Sequence, residues 1–159
     1  MTGTPGTPGT PSTASTPDRP SARQFYYRFL VELWGAEPAR RTQLAAELVT
    51  DDFAIRRGGH DDPARGPKAL LALVEQSAAL FDDIDVRIDQ GPIADGDMVA
   101  ARWTFTGSYR GGLPGARAPE GTRVAFSGLD LVRLADGRAA EYWVSSDADH
   151  LMRQLQVEG

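Results

Sequence analysis

The sequence predicts an α+β domain in which an antiparallel sheet curls around an N-terminal layer of helices. Two observations support this prediction. Apolar residues recur at helical spacing through residues 21–81, whereas residues 84–146 form short apolar runs punctuated by Gly and Asp, as is typical of strands. Helices followed by a run of antiparallel strands form an α+β arrangement. A sheet curled in this way would leave a cavity between itself and the helices.

The first helix is expected over residues 21–35, where five apolar side chains share one face and Gly35 ends the pattern. Two further helices are expected over 37–49 and 66–81, the second with Pro67 in its first turn. The apolar face of the first helix consists of Phe25, Tyr26, Phe29, Leu30 and Leu33.

One short strand is expected between the second and third helices, within residues 51–59. Four longer strands follow the third helix, and a last helix ends the domain within residues 149–156. The four longer strands are expected over 84–95, 97–110, 122–134 and 138–146.

The composition excludes several functional classes. The chain has 159 residues, a net charge of −5 and a pI near 5.0, whereas nucleic-acid binding requires a basic face. It contains no Cys, which excludes disulfides and thiolate chemistry. No apolar run approaches the roughly 20 residues needed to cross a bilayer, and no signal-peptide pattern is present. We expect a cytoplasmic protein without nucleic-acid or membrane partners.

The first twenty residues differ in composition from the rest of the chain. They are mainly Thr, Pro, Gly and Ser and contain almost no large apolar side chain. Such a segment cannot bury enough surface to offset the entropy of ordering it. The sequence therefore predicts a disordered tail over residues 1–20 and a folded domain over residues 21–159.

Residues 126–143 predict a β-hairpin with Asp136-Gly137 at its turn. A two-residue turn would place Asp130 opposite Trp143 on an apolar sheet face, with empty space beside it at Gly128. Burial should raise the pKa of this carboxyl, which suits a general base near neutral pH. The alternative is a structural carboxylate held by backbone amides or by an arginine.

Arg102 is the arginine that could pair with Asp130. In its strand, Arg102 and Thr104 alternate with Trp103 and Phe105. Either set could face the cavity, and we expect Arg102 and Thr104 to do so. Trp103 and Phe105 would then cover a partner sheet or a packed helix, which predicts a homodimer.

Three segments carry a family resemblance: ARWTFTGSYRG at 101–111, APEGTRVAFSGLDLVRLADGRAAEYWVSSD at 118–147 and LMRQL at 151–155. Over about residues 21–156 the chain resembles the SnoaL-like polyketide cyclases of the NTF2-like superfamily. The spacing G-x-D-x-x-R-x-x-D-G-R-x-x-E-x-W, which begins at Gly128, is its most specific part. The resemblance implies a cone-shaped barrel, in which a curved antiparallel sheet wraps on N-terminal helices and a C-terminal helix follows.

The resemblance also implies a chemistry. Family members typically close a ring of a polyketide-like small molecule by aldol chemistry without cofactor or metal. This implies an enzyme of lyase or isomerase type in natural-product biosynthesis, such as antibiotic biosynthesis. The family's acid/base aspartate falls at Asp130. A similarity to limonene epoxide hydrolase matches Arg102 and Trp143 to residues that assist its aspartate, so the catalytic candidates are Asp130, Arg102 and Trp143.

The sequence departs from both patterns. Such cyclases often carry a His where Ser108-Tyr109 stands here, and an Asp where Val144 follows the last strand's Trp. The hydrolase has a second Asp where Thr104 stands. Neither residue set is complete, which indicates a specialised substrate or a pocket that mainly shapes a reactive chain.

Further residues are candidates for substrate contacts. Tyr26 could polarise a carbonyl, and His60 could lie at the cavity mouth. Asp147 could join the pocket or cap the last helix. The Gly/Pro-rich segment 110–121 could be a lid or a plain loop. No metal site is expected, and the substrate-binding candidates are Tyr26, Phe126, Thr104, Ser145, Asp147 and His60.

Three functions follow from these residues. The preferred one is a cofactor-free cyclase or isomerase of a polyketide-like molecule. Epoxide hydrolysis, or cyclisation by epoxide opening, would need a second acid in the pocket, supplied by Asp147 or Glu141. A non-catalytic ligand-binding module would be indicated by a dry ion pair between Arg102 and Asp130 with no cavity left.

Overall fold

The computed structural model describes residues 21–59 and 61–158, in which helices pack on the inner face of a curved six-stranded sheet. The predicted tail at residues 1–20 lies outside the described residues. The elements are α1 (Ala22–Tyr27), a π-helical segment (Arg28–Glu32), α2 (Leu33–Gly35), α3 (Pro38–Leu48), β1 (Val49–Arg57), β2 (Ala64–Arg65), α4 (Pro67–Leu80), β3 (Phe81–Asp95), β4 (Met98–Tyr109), β5 (Arg123–Ala135), β6 (Arg138–Ser146) and α5 (Ala148–Gln154).

The strand order is β2-β1-β6-β5-β4-β3, so the sheet is open and not closed into a ring. The neighbouring pairs β6–β5, β5–β4 and β4–β3 are antiparallel, whereas β1 runs parallel to β6. The predicted α+β class and the predicted succession of helices and strands are confirmed. The two-residue strand β2 and the parallel β1–β6 pair were not predicted.

The first helix begins where the sequence predicts it. Ser21 and Gln24 form a capping box: the Gln24 amide donates to Ser21 Oγ at 3.2 Å and the Ser21 amide donates to Gln24 Oε1 at 2.9 Å. The five residues of the predicted apolar face are at most 3% exposed. This face anchors the helical layer on the sheet.

The side chains of strand β4 alternate between the inner and outer faces of the sheet. Val99, Ala101, Trp103 and Phe105 point inward and are buried, whereas Arg102 lies on the outer face. The prediction that Arg102 faces the cavity was therefore wrong. Of the two surfaces that Trp103 and Phe105 were predicted to cover, the structure shows the helical one, because Phe105 meets Trp34 of α2 edge to face at 6.5 Å. The concave face can accept two large aromatic rings because the helices leave a cavity there.

The β5–β6 hairpin turns at Asp136-Gly137, as predicted, and Ala135 pairs with Arg138. The register then shifts, because Leu134 pairs with Ala139 but Arg133 pairs with Glu141. The extra residue is a β-bulge, and small side chains allow it: Ala139 and Ala140 are both buried.

Beyond the bulge every predicted pairing is displaced by one residue. Asp130 lies opposite Val144, and Trp143 lies opposite Leu131. The predicted pairing of Asp130 with Trp143 was therefore wrong, and the residue on the face of Asp130 is Tyr142. A one-residue slip exchanges the two faces of a strand, which is why a single bulge had this effect.

The predicted empty space at Gly128 is filled. A Cβ atom at this position would lie only 2.7 Å from Cε2 and 2.8 Å from Cη2 of Trp103. The glycine therefore allows the indole ring to pack directly against the β5 backbone, beside Asp130.

The segment after β4 is a fixed loop in the structure. The Leu113 amide donates to the Tyr109 hydroxyl at 2.9 Å, and the Arg117 and Ala118 amides both donate to the Leu155 carbonyl at 3.1 Å. These bonds tie the loop to the end of α5. They favour the plain-loop interpretation of residues 110–121 over a lid.

Gly128→Ala should destabilise the protein by about 1–3 kcal/mol, because the new methyl group would displace the buried indole of Trp103 from its contact with the β5 backbone. Chemical denaturation measures this loss. Gly35→Ala is the matched control, since a Cβ there meets nothing within 4 Å. Equal stability of the two variants would contradict the close packing of Trp103 on Gly128.

Candidate active site

A cavity of about 700 Å³ lies between the helices and the inner face of the sheet. Its wall is largely apolar and includes six aromatic residues, some of whose rings contact one another: Trp103 and Phe126 meet edge to face at 5.6 Å, and Phe105 lies 5.0 Å from Phe126. Polar groups enter the wall from Arg57, Gln76, Ser77, Ser145 and Ser146. The cavity suits a flat, mostly apolar molecule with a few oxygen atoms.

Asp130 is the buried charged residue of the described chain, with only 3% of its surface exposed. Two tyrosines donate to its carboxylate: Tyr26 to Oδ2 at 2.7 Å and Tyr142 to Oδ1 at 3.0 Å. The indole N–H of Trp103 lies close enough to lower its pKa, although it forms no hydrogen bond of regular geometry. The carboxylate thus joins the first helix to strands β4, β5 and β6.

The protonation states of these groups follow from burial. Desolvation raises the pKa of Asp130 to about 6, and the polar contacts from Trp103, Tyr26 and Tyr142 only partly oppose this rise. Burial and the adjacent carboxylate raise the pKa of both tyrosines above its usual value. The tyrosines therefore remain neutral hydrogen-bond donors, while Asp130 can gain or lose a proton near neutral pH.

Arg102 does not approach Asp130, so this part of the prediction was wrong. It lies on the outer face of the sheet, where Nη1 is 3.3 Å from Asp89 Oδ2. Thr104 lies on the same face and hydrogen-bonds Asp89 and Ser127. The Thr104 and Arg87 contacts hold the pKa of Asp89 below its usual value. Because Trp103 and Phe105 of β4 point inward, Arg102 and Thr104, which alternate with them, point outward.

Trp143 is also on the outer face, because the bulge rotates it away from Asp130. Phe126 and Ser145 line the cavity as expected of substrate contacts. Tyr26 reaches Asp130 but is not among the residues that line the cavity. Asp147 accepts the His150 amide at 3.1 Å as the N-cap of α5, so it serves the helix. His60 lies outside the described residues.

Epoxide opening would need a second acid beside Asp130, and a non-catalytic module would be indicated by an ion pair between Arg102 and Asp130 with no cavity. The residues named for these two functions do not meet either condition. Asp147 caps a helix, and Glu141 pairs on the outer face with Arg56 at 2.9 Å and Arg133 at 2.7 Å, so neither supplies a second acid beside Asp130. Asp130 forms no ion pair with Arg102, and a cavity is present. Both observations count against a closed, purely structural centre.

Sequence reasoning missed Tyr142 and Trp103. A signal for Tyr142 was available, because placing the charged Glu141 on the solvent side turns its neighbour inward. Trp103 could have been found from the same preference on β4, where Arg102 belongs outside. In both strands the charged residue marks the outer face, and on β6 it does so more reliably than the register counted from the turn.

The raised pKa of Asp130 predicts a specific pH dependence of stability. Because the folded protein holds this proton more tightly than the unfolded chain, the stabilisation is present below about pH 4 and lost as the pH rises through about 6. Asp130→Asn cannot ionise. The free energy of unfolding of Asp130→Asn, relative to that of the wild type, should therefore increase by about 2 kcal/mol when the pH is raised from about 4 to about 7.5. Denaturation at both pH values measures this, and a constant difference would contradict the raised pKa.

Among the described residues, no helix is long and apolar enough to cross a membrane, and no three His, Asp or Glu side chains are grouped to hold a metal ion.

Comparison with known proteins supports the same fold. The chain is similar to TsrD from Streptomyces laurentii, with 25% identity over 89% of this chain and 98% of that one, at a TM-score of 0.70. It is similar to IdmH from Streptomyces antibioticus, a proposed polyketide cyclase, with 25% identity over 84% and 94% of the two chains and a TM-score of 0.64.

A proposed SnoaL-like polyketide cyclase from Jannaschia sp. CCS1 matches at 22% identity over 86% of this chain and 92% of that one, with a TM-score of 0.72, and shows the shared fold. Another neighbour, from Catenulispora acidiphila, is described by its ketosteroid isomerase-like fold. No protein with a curated description matches the chain. The sequence profile of the SnoaL-like polyketide cyclases matches residues 24–155, and the chain therefore belongs to this family.

Proposed function

We propose that the protein is a cofactor-free cyclase or isomerase that acts on a polyketide-like small molecule, with Asp130 as its acid/base. The observation that supports this most is the placement of one carboxyl group of pKa about 6 directly behind the wall of an aromatic cavity of about 700 Å³. Such a group can both accept and return a proton near neutral pH. Membership of the family is the second support.

The reaction proposed is an intramolecular aldol closure. Removal of a proton next to a carbonyl gives an enolate, whose carbon attacks a second carbonyl of the same molecule. The proton then returns to the new alkoxide oxygen, so the substrate and product are isomers. The aromatic wall, with Phe105 and Phe126 in contact, would hold the chain folded so that the reacting carbons meet.

No ion pair with Asp130 is present among the described residues, and this absence favours the proposed role. A paired arginine would lower the pKa of the carboxyl and weaken it as a base, as the contacts of Asp89 do on the outer face. We also propose that the enzyme acts in natural-product biosynthesis in the cytoplasm.

Asp130→Asn should reduce proton abstraction by about 10²–10⁴-fold, the usual contribution of a general base. The probe is methyltetralone, an aryl ketone whose methyl group lies on the ring carbon next to the carbonyl, so that it has one enolisable C–H. Its deuterium uptake in heavy water is followed by NMR. Asp85→Asn, which changes an exposed carboxylate on β3, is the matched control and should exchange at the wild-type rate. Equal rates for wild type and Asp130→Asn would contradict the role of Asp130.

We further propose that the protein is a homodimer that uses the outer face of the sheet. Ile93, Ala100, Leu131 and Trp143 are paired in one row across four strands, and Ile93 and Leu131 are 67% and 38% exposed. Next to this row Leu129 is 58% exposed. Charged residues of both signs border it, which suits contact with a second copy of the same surface.

Leu131→Asp should convert the dimer into a monomer, because it places a charge at the centre of the apolar row. Light scattering at micromolar concentration measures the mass. Tyr27→Asp is the control, since Tyr27 is an exposed aromatic residue on the helical side. A monomeric wild-type protein would refute this interface.

A further inference from the structure

We propose that the Tyr142 hydroxyl is the group that exchanges protons with the substrate, and that Asp130 is the proton store behind it. This inference rests on the proposed function, because it specifies how the buried carboxyl acts on a molecule in the cavity. It makes Tyr142 the catalytic residue in contact with substrate and Asp130 its proton partner.

Tyr142 and Asp130 differ in their access to the cavity. Both side chains are almost fully buried, at 3% exposed for Asp130 and 2% for Tyr142, but only Tyr142 is among the residues that line the cavity. Both carboxylate oxygens already accept a hydrogen bond, Oδ2 from Tyr26 and Oδ1 from Tyr142. A substrate in the cavity therefore reaches the carboxylate most directly through the Tyr142 hydroxyl.

The Tyr142 side chain is preorganised beside Asp130. The Tyr142 ring meets Phe29 edge to face, with centroids 5.0 Å apart and an interplanar angle of 86°. Its backbone pairs with Val132, two residues from Asp130 on the same strand. The packing on Phe29 and the strand pairing thus hold Tyr142 with its hydroxyl 3.0 Å from Oδ1. A phenol oxygen that donates one hydrogen bond keeps acceptor capacity for a second partner, which here would be the substrate.

The proposed step conserves protons and charge. The substrate transfers a proton to Tyr142 Oη as the phenolic proton passes to Asp130 Oδ1, leaving an enolate, a neutral tyrosine and a neutral carboxylic acid. After ring closure the two transfers reverse: Asp130 returns its proton to Oη, and Oη protonates the alkoxide. No bond to the protein forms, and no other reactant is required.

The electrostatics of the site match this order of events. Burial and Asp130 raise the pKa of Tyr142, so a free phenolate is disfavoured and the two protons should move together. The Arg57 guanidinium lies in the cavity wall and lowers the pKa of the same tyrosine, which places positive charge near the developing enolate. Tyr26, which does not line the cavity, donates to the other carboxylate oxygen and so fixes Asp130 in place.

The test compares Tyr142→Phe with Tyr26→Phe. Each variant removes one hydroxyl that donates to Asp130 and keeps a buried aromatic ring, but only Tyr142 lines the cavity. Deuterium exchange of methyltetralone is measured against pH. In both variants the midpoint should move to higher pH, because a donor to the charged carboxylate is lost. The plateau rate should fall by about 10²–10⁴-fold in Tyr142→Phe and by less than about 10-fold in Tyr26→Phe.

Binding of naphthol, a neutral mimic of an enol, provides a readout that needs no turnover and also shows that each variant is folded. Its affinity should fall by roughly 3–10-fold in Tyr142→Phe, the size of one lost hydrogen bond, and remain unchanged in Tyr26→Phe.

Equal plateau rates or equal naphthol affinities in the two variants would overturn the role of Tyr142. If Asp130→Asn alone abolishes exchange, the proposed function stands while this inference fails. If the wild type promotes no exchange, the proposed function fails, and the affinities still decide whether Tyr142 is the contact.

Discussion

The burial of one carboxylate between two tyrosine hydroxyls is the interaction on which the rest of the structure depends. Asp130 accepts 2.7 Å and 3.0 Å hydrogen bonds from Tyr26 on the first helix and Tyr142 on β6, and so ties the helical layer to the sheet beside the cavity. The same contacts determine its chemistry. Hydrogen bonds to a charged group stabilise it by about 1.5–3 kcal/mol each, which makes the burial tolerable without cancelling its cost. The remaining cost is expressed as a pKa of about 6.

The outer face of the sheet shows what the inner site avoids. There Asp89 lies beside Arg87, Arg102 and Thr104, and its pKa is lowered. An aspartate in such surroundings is a stable anion and a poor base. The inner carboxylate has neutral partners instead, so its charge is held in place but not neutralised. Strand alternation on β4 separates the two environments, because it turns the arginine outward and the indole of Trp103 inward.

Much of this could be predicted from the sequence. Helical spacing identified the five buried residues of the first helix, Asp136-Gly137 located the hairpin turn, and an aspartate in an apolar strand identified Asp130 as unusual. The partners of Asp130 could not be predicted in the same way, because they depend on non-local packing. A single bulge at Ala139 and Ala140 replaces Trp143 with Tyr142 on the inner face. The choice of inner face on β4 depended on whether the helices leave room for Trp103 and Phe105, and no local pattern reports that space.

The most direct test of this account is the pKa of Asp130 in the folded protein, measured from the carboxyl carbon signal in an NMR titration and assigned with Asp130→Asn. We expect a midpoint near 6, well above the ordinary value of 3.8, that rises further when the Tyr142 hydroxyl is removed. A midpoint at or below the ordinary value would mean that the carboxylate is a stabilised structural anion, and would contradict its role as the proton acceptor of the cavity.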